Sequence, residues 1–299
     1  MIKISVVIPA FNAQSTIKDL LVSLFNQTFP KKDFEIILVD DGSRDETVKI
    51  IKTTDKEKRV RLFSEQNKGA AQARNLGASK ARGEILLFVD SDTVLPKDLV
   101  AKYWLAYQKH NNQIIGGGVK NPKGVNYLAW TDYLSSWHNA HEGMKKQTVK
   151  EYLPTVNLSL KRKVFNDIGG FWKDKSTGED VDFGLRAGKK GYQFFFDPSL
   201  GLWHKAPSFN GFLKHNYNWG KHIGKVRGKY PELKFHWLLS QKGPLALLVF
   251  PVVVLGYLTL LLKEWFKFQL FTYIICLPLL FVGRFAYGLG FLKQALTKK

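Results

Sequence analysis

Four short apolar runs recur in the first ninety residues: IKISVVI (2–8), FEIILVD (34–40), VRLFSE (60–65) and EILLFVD (84–90). They are nearly continuous in apolar and β-branched residues instead of alternating with polar ones, which suits strands buried on both faces. Segments of helical character separate them. One runs from a cap at Ser15 or Thr16 to about Asn26, one starts beyond Asp45, one covers Gly69–Ala81, and one begins near Pro96–Asp98. This repetition predicts an α/β fold, a mostly parallel sheet flanked by helices. In open sheets of this kind ligands bind beyond the carboxyl ends of the strands. Here the first strand ends in PAFNA, the second in DDGS and the fourth in DSD, so two of these three ends carry paired carboxylates.

Charge divides the chain unevenly. The formal net charge is +20, and residues 200–299 contribute 14 Lys or Arg against only Glu232 and Glu264. Lys205, Lys214, Lys221, Lys225, Arg227, Lys229, Lys234 and Lys242 precede GPLALLVFPVVVLGYLTLLL (243–262), which has no charge. Twenty helical residues cover about 30 Å, the thickness of a bilayer core. A polar break containing Lys263, Glu264, Trp265 and Lys267 precedes a second apolar run, Phe268–Gly283, which Arg284 ends or interrupts. The pattern predicts a transmembrane helical hairpin; a pair of buried helices in a soluble core, or interfacial helices that do not span, would use the same residues. Basic residues before Gly243 and at Lys293, Lys298 and Lys299 put both its ends, and the preceding domain, on the cytoplasmic side of a cell membrane. The basic excess therefore meets acidic lipid headgroups; no nucleic-acid motif accompanies it, and no nucleic-acid partner is expected. The single cysteine, Cys276, excludes an internal disulfide. The expected division is a catalytic domain over 1–230, a basic juxtamembrane segment over 231–242, and two membrane helices with a basic tail over 243–299.

Several motifs carry chemistry. Asp90-Ser91-Asp92 puts two carboxylates at a strand end, where they could share a hard cation, Mn²⁺ or Mg²⁺, with substrate phosphates; a capped turn would use the same residues. A carboxylate of Asp40-Asp41-Gly42-Ser43 could accept hydrogen bonds from a base or ribose while the segment also serves as a strand-to-helix turn. Gly69 opens a helix whose N-terminus favours anions, and Arg74 on that helix could reach a phosphate or pair with an acid. Glu179-Asp180 opens another helix; it could cap that helix or supply a general base.

SVVIPAFNA, VDDGSRDET, NKGAAQARNLGA, FVDSDTVLP and TGEDVDFGLRAGKKGY, in this order and spacing, resemble the family-2 glycosyltransferases of the GT-A fold, across residues 3–205. Gly116-Gly117-Gly118, VNLSLKR (156–162) and Ile168-Gly169-Gly170-Phe171 agree with that pattern. The resemblance implies a nucleotide-diphospho-sugar transferase. Its donor, a UDP-sugar, would lie against Pro9, Ala10, Asn12, Asp40, Asp41, Arg74, Asp90, Ser91 and Asp92. Asp92, Asp90 and His204 would hold the metal, and Asp180, with Glu179, would deprotonate a hydroxyl of a lipid-linked or cell-surface glycan for inverting transfer. Tyr217, Trp219, Lys221 and His222 would lie near the acceptor. No Q-x-x-R-W motif is present, which argues against a processive synthase. Two other readings stay open: a polyprenyl-phosphate sugar synthase, whose acceptor needs no strong base, and a noncatalytic membrane scaffold, against which the retention of Asp90, Asp92 and Asp180 argues. The aromatic segment at 120–150 has the spacing of an amphipathic helix around Leu128, Trp130, Tyr133, Leu134 and Trp137. The sequons at Asn26 and Asn157 are expected to be chance matches.

Overall fold

A computed structural model describes all residues except 110–112, 125, 150–151, 174–177, 234–235, 267–268 and 298–299. Thr177, Lys234, Lys267, Phe268, Lys298 and Lys299, which the sequence reading used, lie outside the described residues. In chain order the elements are β1 (Ile4–Ala10), α1 (Ile17–Phe25), β2 (Phe34–Asp40), α2 (Thr47–Thr54), β3 (Val60–Ser64), α3 (Ala70–Lys80), β4 (Ile85–Val89), β5 (Thr93–Val94), α4 (Leu99–Lys109), β6 (Ile114–Val119), α5 (Tyr127–Ser136), β7 (Gln147–Val149), β8 (Asn157–Lys161), α6 (Arg162–Ile168), α7 (Glu179–Lys189), β9 (Phe194–His204), α8 (Phe209–Lys229), α9 (His236–Leu239), α10 (Leu245–Trp265) and α11 (Leu270–Leu296). They form two units: residues 1–120, 140–175 and 179–205, and residues 121–139, 176–178 and 206–299.

The first unit is an α/β sheet with strand order β3-β2-β1-β4-β8-β6-β9-β5, with β7 pairing β9. The pairs β1–β2, β1–β4 and β2–β3 are parallel, as the continuous apolar runs require: every residue of β1 and β2 is buried. Beyond β4 the sheet becomes mixed. β8 enters antiparallel between β4 and β6, and β5 and β7 pair antiparallel with β9. Thr16 does not cap α1 through its side chain. The N-cap of the next helix is Glu46, which makes no side-chain cap bond; Asp45, one residue earlier, instead accepts from the Thr47 backbone N–H at 3.0 Å. Asn157, in one of the sequons, is a core residue of β8. Its Nδ2 donates to the carbonyls of Gly118 and Leu200, and its Oδ1 accepts from Tyr103 at 2.7 Å, so it carries no glycan in this fold.

The second unit is helical. Its α10 and α11, two helices long and apolar enough to cross a membrane, pack together as a hairpin. α10 continues through Lys263 and Glu264 to Trp265, and α11 continues through Arg284, which is 1% exposed and lies 4.5 Å from the Tyr257 ring. Arg284 is thus an interior residue and does not mark the end of the second apolar helix. Gly220 of α8 and Gly290 of α11 let these two helices approach closely. A Cβ on either would lie within 2 Å of the Tyr287 or Tyr217 carbonyl oxygen, respectively. The predicted helix in 120–150 is α5, and it belongs to this unit; its Leu134 carbonyl accepts from Trp265 Nε1 at 2.9 Å.

Candidate active site

The expected site residues Pro9 to Asn12, Asp40, Asp41, Arg74, Asp90 to Asp92, Glu179, Asp180 and His204 all belong to the α/β unit, and all but Arg74, one turn into α3, sit at strand ends or helix starts. β1 and β2 run in register, pairing Pro9 with Val39 and Ala10 with Asp40, so PAFN and DDGS emerge side by side. Asn12 adopts φ +50°, a conformation that asparagine tolerates. It joins the two segments: its N–H donates to Ser43 Oγ, and its Oδ1 accepts from the Arg44 N–H, both at 2.9 Å. Asp40 Oδ1 accepts from the Ser43 N–H. Both oxygens of Asp41 accept backbone N–H bonds, from Lys68 at 2.7 Å and Gly69 at 2.8 Å, and so hold the start of α3 against the end of β2.

Arg74, 3% exposed, joins two acids distant in the chain. It donates to Asp90 Oδ1 at 2.5 Å and to Glu179 Oε1 at 2.8 Å. Burial works against its charge, but the two carboxylates outweigh that cost and raise its pKa. Asp180 follows directly on α7, with its Oδ1 accepting from the Val181 N–H at 2.8 Å. Burial and the neighbouring Glu179 charge push its pKa up to about 7, against a smaller opposing pull from Arg74. That value suits a proton acceptor at neutral pH.

Three side chains that the sequence reading did not single out position these groups. Asn75 exchanges two hydrogen bonds with the Phe171 backbone, at 2.8 and 2.9 Å, which ties α3 to the turn after α6. Asp182 is fully buried and pairs with Arg186 at 2.8 Å, while Arg186 donates to the carbonyls of Ile168 and Gly170. The Asp182/Arg186 pair was visible as i,i+4 spacing on one helix; Asn75 had no sequence signal.

The pairing of β5 with β9 sets Thr93 opposite His204. It brings Asp92 Oδ2 within 3.3 Å of His204 Nε2, and the Lys205 N–H donates to the Asp92 carbonyl at 2.8 Å. Among the described residues no three His, Cys, Asp or Glu side chains form a ready-made metal cage. Asp92 and His204 nevertheless fit a cation that takes most of its shell from a diphosphate and water, as Mg²⁺ and Mn²⁺ do. Asp90 instead engages Arg74. Tyr217, Trp219, Lys221 and His222 lie on α8, in the helical unit.

Residues 5–169 match the profile described as Glycosyl transferase family 2. The chain is 28% identical over 222 residues to glycosyltransferase AglE of Haloferax volcanii, covering 73% of this chain and 72% of the relative. It is 30% identical over 167 residues to the poly(ribitol-phosphate) β-N-acetylglucosaminyltransferase TarS of Staphylococcus aureus, covering 55% of this chain but 26% of that one. Several other curated relatives are likewise matched over about half their length or less. Among solved structures, the mannosyltransferase PcManGT of Pyrobaculum calidifontis, in complex with GDP-Man and Mn²⁺, superposes with a TM-score of 0.61 at 18% identity, over 93% of this chain and 74% of that one.

Proposed function

Because the chain belongs to glycosyl transferase family 2, we propose that it is a metal-dependent inverting enzyme moving a sugar from a UDP-sugar to a hydroxyl of a lipid-linked or cell-surface glycan. The observation that carries this reading is the meeting of Arg74, Asp90 and Glu179 beside Asp180. Pro9 to Asn12 and the Asp40–Asp41 segment would hold the nucleoside, with the half-exposed Phe11 ring available to a base. Arg74 would orient Asp90 toward the donor and place its own charge near the diphosphate. Asp92 and His204 would hold Mn²⁺ or Mg²⁺, which when bound supplies positive charge against the departing diphosphate.

Asp180 would take the proton from the acceptor hydroxyl. The acceptor oxygen then bonds to the anomeric carbon from the face opposite the diphosphate, the carbon–oxygen bond to the diphosphate breaks with its electron pair, and the configuration inverts. A base of this kind contributes about 10²- to 10⁴-fold of the rate. A carboxyl held near neutrality favours a hydroxyl acceptor over a phosphate that is already ionised. The poly(ribitol-phosphate) transferase among the relatives supports a glycan acceptor, and the apolar α10–α11 hairpin supports attachment to a cell membrane, with the α/β unit on the cytoplasmic side. The test is turnover and binding by the purified full chain across UDP-, GDP- and dTDP-sugars, with and without Mn²⁺. Metal-dependent release of UDP from one donor is the expected result; no binding of any donor by folded protein overturns the proposal.

A further inference from the structure

The packing around α10 and α11 constrains how this hairpin can meet a bilayer. α8 lies along the second half of α11: Phe212 meets Gly283, Tyr217 meets Gly290, Gly220 meets Tyr287 and Gly224 meets Gln294. α8 also carries Lys214, Lys221 and Lys225, all exposed. If α11 crossed a membrane over its second half, these ammonium groups would sit in hydrocarbon, which is costly. The close glycine approaches to α8 begin at Gly283, and the part of α11 before it, residues 270–282, is about 20 Å of helix at 1.5 Å per residue, well short of a bilayer core of about 30 Å.

Connectivity adds a second constraint. α8 touches the open end of the hairpin, where the Gly243 N–H also donates to the Ala295 carbonyl. α5 touches the closed end, where Tyr127 Oη donates to the Ile275 carbonyl at 3.1 Å and the Leu134 carbonyl accepts from Trp265. Between α5 and α8 the chain has no apolar run long enough to cross a bilayer. Both helices therefore lie on one side of a membrane, and both ends of the hairpin must lie on that side with them.

What remains uncovered is one apolar stripe along each helix. It includes Leu248, Val252 and Leu255 of α10 and Phe271, Ile274 and Phe281 of α11, all exposed. We infer that the hairpin lies in the plane of one membrane leaflet without crossing it, with this stripe among the acyl chains and the α8 lysines toward acidic headgroups. The inference rests on the reading of α10–α11 as a membrane anchor and replaces the spanning arrangement expected from length alone.

Lys242 and Lys263 are exposed and lie at opposite ends of α10, which makes them native reporters. Sealed membrane vesicles of defined orientation, carrying the full wild-type chain, are treated with a membrane-impermeant sulfonated amine-reactive ester, and both sites are quantified by mass spectrometry. An in-plane hairpin gives equal modification of the two lysines, rising or falling together when vesicle orientation is reversed. A difference of about tenfold that changes sign on reversal means a spanning hairpin and overturns the inference. Recovery of the chain in the soluble fraction overturns both the inference and the membrane anchor. Sugar turnover measured on the same preparation reports on the transferase reading separately.

Discussion

Arg74 and Glu179 are 105 residues apart in sequence and joined by a 2.8 Å hydrogen bond, and the same guanidinium holds Asp90. A lysine presents one ammonium, not a planar fork, and cannot reproduce both bonds. Arg74→Lys is expected to lower kcat/KM by about 100-fold, the scale on which misplaced reacting groups cost rate. Steady-state kinetics on folded protein checks this, and unchanged kinetics would remove Arg74 from the site.

The pH dependence follows from Asp180. As a base it acts when ionised, so kcat/KM should rise with pH through about 7 and then level. The positive charge of Arg74 lowers this pKa, so Arg74→Met should move the limb to higher pH in its residual activity. The sign for stability is opposite. Because the folded carboxyl holds its proton more tightly than the ordinary value of 3.8, its ionisation costs the folded state stability as pH rises from about 4 to about 7. Asp180→Asn should therefore abolish transfer while raising Tm above pH 7, with no gain below pH 4.

Asp92→Asn removes a carboxylate from the pair with His204. Mn²⁺-dependent turnover should fall by more than about 100-fold, the upper end of what a perturbed metal site costs. His204→Ala should be milder and restored in part by excess Mn²⁺. A metal titration of both variants after chelator treatment distinguishes these outcomes; equal metal responses in wild type and Asp92→Asn would exclude the assignment.

Asp182→Ala leaves Arg186, which anchors the turn at Ile168–Gly170, without its buried partner. A loss of about 2–3 kcal/mol in stability is expected from denaturant unfolding. At temperatures where the variant is folded, kcat should fall with little change in donor affinity, since α7 carries Asp180, the proposed base. Asp182→Glu should recover part of both.

Neighbouring glycines in β6 offer a packing control. A Cβ on Gly117 would lie 2.1 Å from the Leu200 carbonyl oxygen and 2.3 Å from Asn157 Nδ2, whereas on Gly118 its nearest neighbour is at 3.4 Å. Gly117→Ala should cost about 3 kcal/mol or more and Gly118→Ala less than about 1 kcal/mol, measured by the same unfolding assay.

The parallel half of the sheet was legible because its signal is local. Runs such as FEIILVD match β2 to the residue, and the paired acids fall at the ends of β2 and β4, as the pattern predicted. The antiparallel entry of β8 was not legible, because a five-residue apolar strand carries no mark of its neighbour's direction. His204 was set beside Asp92 only through the family resemblance, since spacing alone does not relate residues more than a hundred apart; in the fold it is the pairing of β5 with β9 that brings them together.

By itself, the sequence determined the β–α alternation, the acids at the strand ends and the two long apolar helices, since each depends on residue type and spacing within a few turns. Tertiary structure alone decided that Arg74 bridges Asp90 to Glu179, that burial beside Glu179 raises the Asp180 pKa, and that α5 and α8 pack against opposite ends of the hairpin. These depend on which distant surfaces are buried together, and desolvation and charge proximity have no value until the folded chain brings those surfaces into contact.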